Sequence, residues 1–168
     1  HGRASGITTD YSWLDVNNRS AFRRATDFLL DLGHRRIALL NGLETMDFAH
    51  RRRRGYDDAM QALDINVDPA LMRSEEMTES YGDRTARIEE RALKMGRDVS
   101  VINHDDPLSY LANGADVPIF TATRSSVREA GRTLSQMLIS MIESANNTPQ
   151  HRLLEVELMV GQSTGPCP

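Results

Sequence analysis

Amphipathic helical segments alternate with short apolar segments along most of the chain, and this alternation limits the fold more than any other feature. In residues 17–32, apolar side chains recur every three or four positions, which predicts a helix with one buried face. Residues 37–40 form a continuous apolar run, typical of a strand buried on both faces of a parallel sheet. A second helix is predicted over about 47–63. This order predicts an α/β fold with a mainly parallel sheet flanked by helices.

The second half of the chain continues the pattern. Ser125 or Ser126 is predicted to cap a long helix that ends near residue 145. Because ligands of parallel sheets bind beyond the carboxyl ends of the strands, the segments after Leu40, Asn103 and Thr123 are the expected binding side. The other predicted elements are an edge strand around 67–72, a helix over 85–95, and strands over 99–103, 119–123 and 153–160.

The composition excludes several classes of protein. Hydrophobic residues make up 39% of the 168 residues and charged residues 26%, which predicts one soluble globular domain. The formal net charge of -4 does not provide the positive field of a free-standing nucleic-acid-binding protein. The single cysteine, Cys167, rules out an internal disulfide and a cysteine-based zinc site, and a cytoplasmic location is expected. The chain starts at His1, as a processed protein or a piece of a longer one would.

Two polar segments follow predicted strands and are candidate binding sites. Residues 41–50 lead into a helix N-terminus, which attracts anionic or hydroxyl-rich ligands, but they lack the spacing of a phosphate loop. The acids of His104-Asp105-Asp106 suit a metal, acid–base chemistry or hydrogen bonds to sugar hydroxyls. A metal is disfavoured because no nearby residues complete its oxygen shell. We prefer one acid capping a turn and the other facing the crevice.

Residues 51–54 are four consecutive arginines, the most basic run in the chain. On a helix, four successive side chains point around the whole circumference and cannot form one patch. Asp57 and Asp58 lie within reach of several of them. We therefore interpret the run as a solvated, locally paired face and not as a phosphate or nucleic-acid site. The hydroxyl residues of 121–126 have no partnered base at a recognisable spacing, so no catalytic nucleophile is assigned.

Several segments, in order and spacing, resemble one protein family. They are residues 15–18 (DVNN), 28–42 (FLLDLGHRRIALLNG), 52–56 (RRRGY), 96–106 (GRDVSVINHDD), 120–124 (FTATR) and 163–166 (STGP). Together they are similar to the effector-binding core of LacI/GalR-type bacterial transcriptional repressors, and the resemblance covers most of residues 13–168. It implies a periplasmic-binding-protein-like (type I) architecture, with two α/β lobes joined by three crossovers.

The resemblance also implies a function. A small effector, usually a sugar or a nucleoside-like molecule and here expected to be a sugar or a sugar derivative, binds between the lobes and shifts the population between two lobe arrangements. That shift alters operator binding by an N-terminal helix-turn-helix on a homodimer. The core would then be neither an enzyme nor a membrane protein, and would need no cofactor or metal. The alternatives are a periplasmic sugar-binding protein of a transporter and, with little support, a hydrolase that uses Asp105 and Asp106.

Residue by residue, the family's ligand contacts correspond to a few positions of this sequence. Asp105 corresponds to the usual acceptor for ligand hydroxyls, and Ser125 stands where several members have Gln. Arg3, near the first crossover, is a further candidate, while Arg52 corresponds to an arginine that we interpret as structural. The segment before the Arg-x-x-Gly-Tyr motif adds Met46, Phe48 and His50, the last in place of an arginine in lactose-type members.

The sequence also departs from the family pattern. The DNA-binding headpiece and most of the first lobe are absent, and some twenty to thirty residues are expected to be missing near 81–84. Residues 1–124 would then be mostly the C-terminal lobe, 125–146 a helix of the N-terminal lobe, and 147–168 a return strand and tail. Asn103 replaces the usual Gly before His-Asp-Asp. The sequence therefore predicts an incomplete two-lobe sensor.

Overall fold

Helices and strands alternate along the chain, as predicted. The structure is a computed structural model that describes residues 2–3, 7–74, 88, 90–105, 113–114, 117–144 and 148–168, without the side chain of Asp105. The elements are β1 (Trp13–Val16), α1 (Asn18–Asp31), β2 (Leu39–Asn41), α2 (Asp47–Ala62), a 3-10 turn (Pro69–Leu71), β3 (Met72–Ser74), β4 (Ile102–Asp105), β5 (Thr121–Arg124), α3 (Val127–Ser144), β6 (His151–Leu154) and β7 (Glu157–Met159). None of the helices in these ranges is long and apolar enough to cross a bilayer.

The described strands pair in three groups, mainly in parallel. β1 pairs with β6, β2 with β3, and β4 with β5, all in parallel, while β7 joins the other edge of β5 antiparallel. The predicted α/β fold with mainly parallel strands is therefore confirmed. α3 packs on β1, so β1, β6 and α3 are called the β1–β6 unit below. The other elements are called the α1–α2 unit after its two packed helices.

Side chains cap the starts of α1 and α3, whereas α2 begins after Met46 without a side-chain cap hydrogen bond. Asn17 Oδ1 accepts a hydrogen bond from the N–H of Ser20 at 3.2 Å, and Ser126 Oγ accepts from the N–H of Glu129 at 3.1 Å. After α1, Gly33 takes a left-handed φ of 92°, which residues with a Cβ rarely adopt. The helices predicted over 17–32, over 47–63 and after Ser125 or Ser126 are therefore confirmed.

The α1–α2 unit has its own hydrophobic core between the two helices and β2. The Tyr56 ring is buried there, its hydroxyl donates to the carbonyl of Ile37 at 2.8 Å, and burial raises the pKa of Tyr56. Gly55 lies where α2 crosses α1, and a Cβ at this position would overlap the carbonyl oxygen of Arg19. The buried core residues are Leu30, Ile37, Leu39, Tyr56, Ala59 and Met60.

The two most specific segments of the family resemblance meet in this unit. His34 Nε2 lies 2.9 Å from the carbonyl oxygen of Gly165. Ser163 is buried, and its hydroxyl donates to the carbonyl of Val101 at 2.6 Å and accepts from the N–H of Thr121 at 2.9 Å. The closing segment thus joins the chain before β4 to β5 through side-chain hydrogen bonds, and it has a structural role.

Several strand predictions are wrong in detail. Residues 153–160 do not form one strand, because β6 ends at Leu154 and β7 begins at Glu157 in a different sheet. β2 begins at Leu39, and Leu40 is 52% exposed, so this strand is not buried on both faces. β4 lies further along the chain than the predicted strand over 99–103. Periodicity along one segment does not reveal how many sheets that segment joins.

The chain before β4 also differs from the prediction in its described part. Residues 90–95, the end of the helix predicted over 85–95, form turns and an isolated bridge. The edge strand predicted around 67–72 is a 3-10 turn followed by β3. Residues 81–84, where a missing segment is predicted, and Asp106 lie outside the described residues.

Candidate functional site

Three short connections join the β1–β6 unit to the α1–α2 unit. The chain passes from β1 to α1, from β5 to α3, and from β6 to β7. The first and third connections are bound to each other, since Asn17 Nδ2 donates to Glu155 Oε1 at 2.7 Å. Val16, Ala21 and Val156 form a small buried cluster beside this contact. A site between the two units would therefore lie next to these connections.

A buried charged cluster lies at the end of β1. Asp15 is 3% exposed, and its Oδ1 accepts a hydrogen bond from the N–H of Val16 at 2.9 Å. Its Oδ2 lies 2.9 Å from Nη2 of Arg51 and 3.5 Å from Nε of Arg3. Arg51 is at the start of α2 and also lies 3.8 Å from Asp47. The Asp15–Arg51 ion pair thus joins the two units.

Hydrogen bonding within this cluster is incomplete. Nε of Arg3, Nε of Arg51 and Oδ2 of Asp15 are buried and make no hydrogen bond within the described part of the chain. The Asp15–Arg51 contact has the distance of an ion pair without the angles of a hydrogen bond. Buried polar atoms without hydrogen-bond partners are costly, so the cluster leaves two donors and one acceptor unsatisfied. In the same described ranges, no three His, Cys, Asp or Glu side chains are grouped as metal ligands.

Three of the predicted ligand contacts lie at the N-terminal end of α2. Met46 directly precedes the helix and is 50% exposed, and His50 is exposed in its first turn. Phe48 is half-buried, and its ring centre lies 4.7 Å from the guanidinium carbon of Arg52. The structure therefore brings these residues together, next to Arg51.

Arg52 makes contacts that hold α1 and α2 together. Its guanidinium lies between the rings of Phe48 and Phe22, at 4.7 Å and 5.1 Å from the ring centres. Its Nε donates to Asn18 Oδ1 at 2.9 Å. These contacts support the structural interpretation of this arginine and occupy one face of the Phe48 ring.

The remaining predicted contacts form two groups. Asp105 is opposite Arg124 in the β4–β5 pairing, and Ser125 follows directly and is half-buried. Asp105 and Ser125 are thus at the carboxyl ends of neighbouring parallel strands, although the side chain of Asp105 lies outside the described residues. Arg3 lies with Asp15 instead, and its guanidinium carbon is 4.6 Å from the centre of the Trp13 ring.

Asp15 and Arg51 are not among the candidate site residues that the sequence predicts, although the structure brings them together beside the connections. The arginine run was predicted to be solvated and locally paired, which holds for Arg53, whose Nε contacts Asp57 at 2.9 Å. It is wrong for Arg51, whose side chain is 20% exposed and whose short contact is with a residue of another unit. The signal in the sequence was the place of Asp15 between Leu14 and Val16, because a charge within a buried apolar strand needs a partner.

Comparison with known proteins relates this chain to transcriptional regulators. The family described as "Periplasmic binding protein-like domain" matches residues 84–164. The HTH-type transcriptional regulator AglR of Rhizobium meliloti is 36% identical over 195 aligned positions, which cover 100% of this chain and 54% of AglR. The HTH-type transcriptional regulator CelR of Thermobifida fusca is 28% identical, over 96% of this chain and 55% of CelR.

Comparison with solved structures also relates this chain to transcriptional regulators. The transcriptional regulator CelR–cellobiose complex matches with a TM-score of 0.81 and 25% identity, over 96% of this chain and 57% of that one. A regulatory protein of the LacI family from Chloroflexus aggregans matches with a TM-score of 0.78 and 25% identity, over 98% of this chain and 67% of that one. The expected periplasmic-binding-protein-like fold is therefore confirmed.

The chain spans about half the length of the curated regulators that it matches. The alignment with AglR has 195 positions for a chain of 168 residues, so at least 27 aligned positions have no residue here. The missing segment predicted near 81–84 stays a prediction. Sequence and structure thus both relate this chain to the LacI family of transcriptional regulators, through a periplasmic-binding-protein-like fold.

Proposed function

We propose that this chain is the effector-sensing part of a LacI-type transcriptional regulator, and that its effector is a sugar or a sugar derivative. The observation that carries the proposal is the 36% identity with an HTH-type regulator over the whole of the chain. The match to a regulator in complex with cellobiose supports a sugar as the class of effector.

In this proposal, the two units correspond to parts of the two lobes. The α1–α2 unit is the C-terminal lobe, while β1, α3 and β6 belong to the N-terminal lobe. The three connections at residues 16–18, 125–126 and 155–156 are then the three crossovers. Compared with a division at residues 124 and 146, this assignment moves β1 to the N-terminal lobe, because β1 pairs with β6 and packs against α3.

The effector would bind between the units through residues of both. Asp105 would accept hydrogen bonds from sugar hydroxyls, as carboxylates do, and Ser125 and His50 would add polar contacts. Met46 and the free face of the Phe48 ring would contact the apolar face of a sugar ring. Arg3 would donate from the side of β1.

The wider role of the protein follows from the same relatives. We propose a homodimer that works in the cytoplasm, binds operator DNA through an N-terminal helix-turn-helix outside this sequence, and catalyses no reaction. Effector binding would favour one arrangement of the lobes and so change the affinity for the operator. The coding sequence upstream of His1 separates this role from that of a transporter's periplasmic sugar-binding protein. A helix-turn-helix there would support the regulator, and an export signal would overturn it.

Isothermal titration calorimetry tests the binding site directly. Cellobiose, ribose and a panel of other neutral sugars are titrated into the chain, and the sugar with the highest affinity is then used with variants. Asp105→Ala is expected to weaken binding about tenfold or more, since a hydrogen bond to a charged group contributes about 1.5–3 kcal/mol. Asp27→Ala, on the exposed side of α1, is the control and should leave the affinity unchanged. Equal affinity of Asp105→Ala and the unsubstituted chain would contradict the assigned site.

A further inference from the structure

The Asp15–Arg51 pair differs from the other ion pairs of α2 in its position and its burial. Arg53–Asp57 lies within α2, and Arg19–Asp58 joins α1 to α2 inside one unit. Arg51, by contrast, is ion-paired with Asp15 of β1, in the other unit. The Asp15 side chain is 4% exposed and that of Arg51 is 20% exposed, whereas Arg19 and Asp58 are 57% and 26% exposed.

Burial determines how much such a pair contributes. Exposed ion pairs contribute little because water and salt screen them. When one partner of a buried pair is removed, the other charge stays in a poorly solvated place, which is strongly destabilising. The 2.9 Å contact between Asp15 Oδ2 and Arg51 Nη2 therefore opposes any motion that carries the start of α2 away from β1.

Because hydrogen bonding within the cluster is incomplete, the strength of the Asp15–Arg51 contact depends on the polar groups around it. Nε of Arg3, Nε of Arg51 and Oδ2 of Asp15 are all buried without a hydrogen bond in the described structure. Coulomb attraction within the cluster thus stabilises the observed arrangement of the two units. A cluster with complete hydrogen bonding would hold the two units together more strongly.

We infer that Asp15 and Arg51 are positioning residues, whose ion pair sets the arrangement of the β1–β6 unit relative to the α1–α2 unit. The connections at residues 16–18 and 155–156 provide the pivot, because hinge motions are absorbed by a few residues at element ends. We call the Asp15–Arg51 ion pair the latch. Its regulatory role rests on the proposed function: an effector that supplies hydroxyls to the cluster would favour the arrangement in which the ion pair is formed. The latch itself needs no effector.

Spin-label distance measurements on the sugar-free chain test the latch. Labels are placed at Gln61→Cys on α2 and Gln136→Cys on α3, both exposed positions, with Cys167→Ser as the background. A single narrow distance distribution is expected for the labelled chain. Asp15→Asn and Arg51→Gln are each expected to add a second population at a different distance. Asp58→Asn, which breaks the pair with Arg19 at 2.6 Å inside one unit, is the control and should leave the distribution narrow.

Two further variants separate a latch from a purely structural contact. Arg51→Lys keeps the charge and should restore the narrow distribution. The double variant Asp15→Asn/Arg51→Gln should be no broader than either single variant, because the two residues act through one pair. If Asp15→Asn does not fold, Arg51→Gln alone tests the inference, because it removes the same ion pair by changing the more exposed of the two residues. A narrow distribution in Arg51→Gln would overturn the inference, as would an additive double variant. Because no sugar is present, neither result depends on the proposed effector.

Discussion

The α1–α2 unit and the β1–β6 unit bury their helices in different ways. In the first, α1 and α2 enclose large buried side chains such as Tyr56 and Met60. In the second, the described contact between α3 and β1 buries the smaller set Leu14, Ala130 and Met137, with Leu134 and Leu154 partly buried beside them. The other side of α3 remains open, with Leu138 60% exposed, Ile139 52% and Ile142 71%.

This difference predicts that the α1–α2 unit contributes more to the free energy of unfolding than the β1–β6 unit does. Among the described residues, the cluster beneath α3 has three buried residues, whereas the cluster between α1, α2 and β2 has six, so less apolar surface is buried in the β1–β6 unit. The apolar stripe along residues 127–141 predicts that this helix packs on a partner lobe or a second subunit, and the exposed face of α3 fits that prediction. The predictions below test the contrast between the units.

The largest effect is expected from truncating the cores of the two units. Met60→Ala should lower the free energy of unfolding by about 3 kcal/mol, because it leaves a cavity among residues that cannot close around it. Met137→Ala should cost less, about 2 kcal/mol, since the thinner core beneath α3 can collapse. Urea unfolding followed by circular dichroism measures both. A larger loss for Met137→Ala would reverse the proposed order of the units.

Two helical glycines provide a second contrast. Gly55→Ala should destabilise the chain by about 2 kcal/mol, because the new methyl group meets the backbone of α1 at Arg19. Gly131→Ala in α3 has open space around it and should stabilise by about 0.5–1 kcal/mol through helix propensity. The shift in urea midpoint should thus have opposite signs. Two shifts of the same sign would show that the helices pack differently.

The Tyr56 hydroxyl predicts a dependence on pH that is specific to the α1–α2 core. Burial raises the pKa of Tyr56 in the folded chain above 10.0, so its stabilising contribution is complete below that value and is lost as pH rises further. Tyr56→Phe should cost about 1 kcal/mol at neutral pH, through the lost hydrogen bond to Ile37. In Tyr56→Phe, the free energy of unfolding should also fall less steeply above pH 10. Thermal unfolding of both proteins from pH 8 to 11 measures this, and parallel curves would contradict it.

The smallest effect is expected on the open face of α3. Ile142→Ser should change the free energy of unfolding by no more than about 0.5 kcal/mol, because the side chain is 71% exposed. Chemical denaturation measures the change at a protein concentration low enough to prevent association. A loss as large as that of Met137→Ala would show that this face is covered in the chain as it stands.

Much of the local structure could be predicted because its causes lie close together in the sequence. The start of α1 follows from Asn17 and its end from Gly33, and the start of α3 follows from Ser126. The order of motifs predicted the periplasmic-binding-protein-like fold and its incompleteness. Met46, Phe48 and His50 lie at one helix end, as their neighbouring positions in the sequence require, and their contact with an effector stays a prediction.

What the sequence alone determined is therefore the α/β class, the three long helices and the resemblance to LacI-type regulators, while the side of the sheet where a ligand would bind stays a prediction. Only the tertiary structure decided that residues 153–160 divide between two sheets, that Leu40 is exposed, and that Arg51 reaches Asp15 across 36 positions of sequence. The physical reason is that helix periodicity and caps act over three or four residues. The partner of a buried charge and the sheet that a strand joins depend on segments that meet only when the chain has folded.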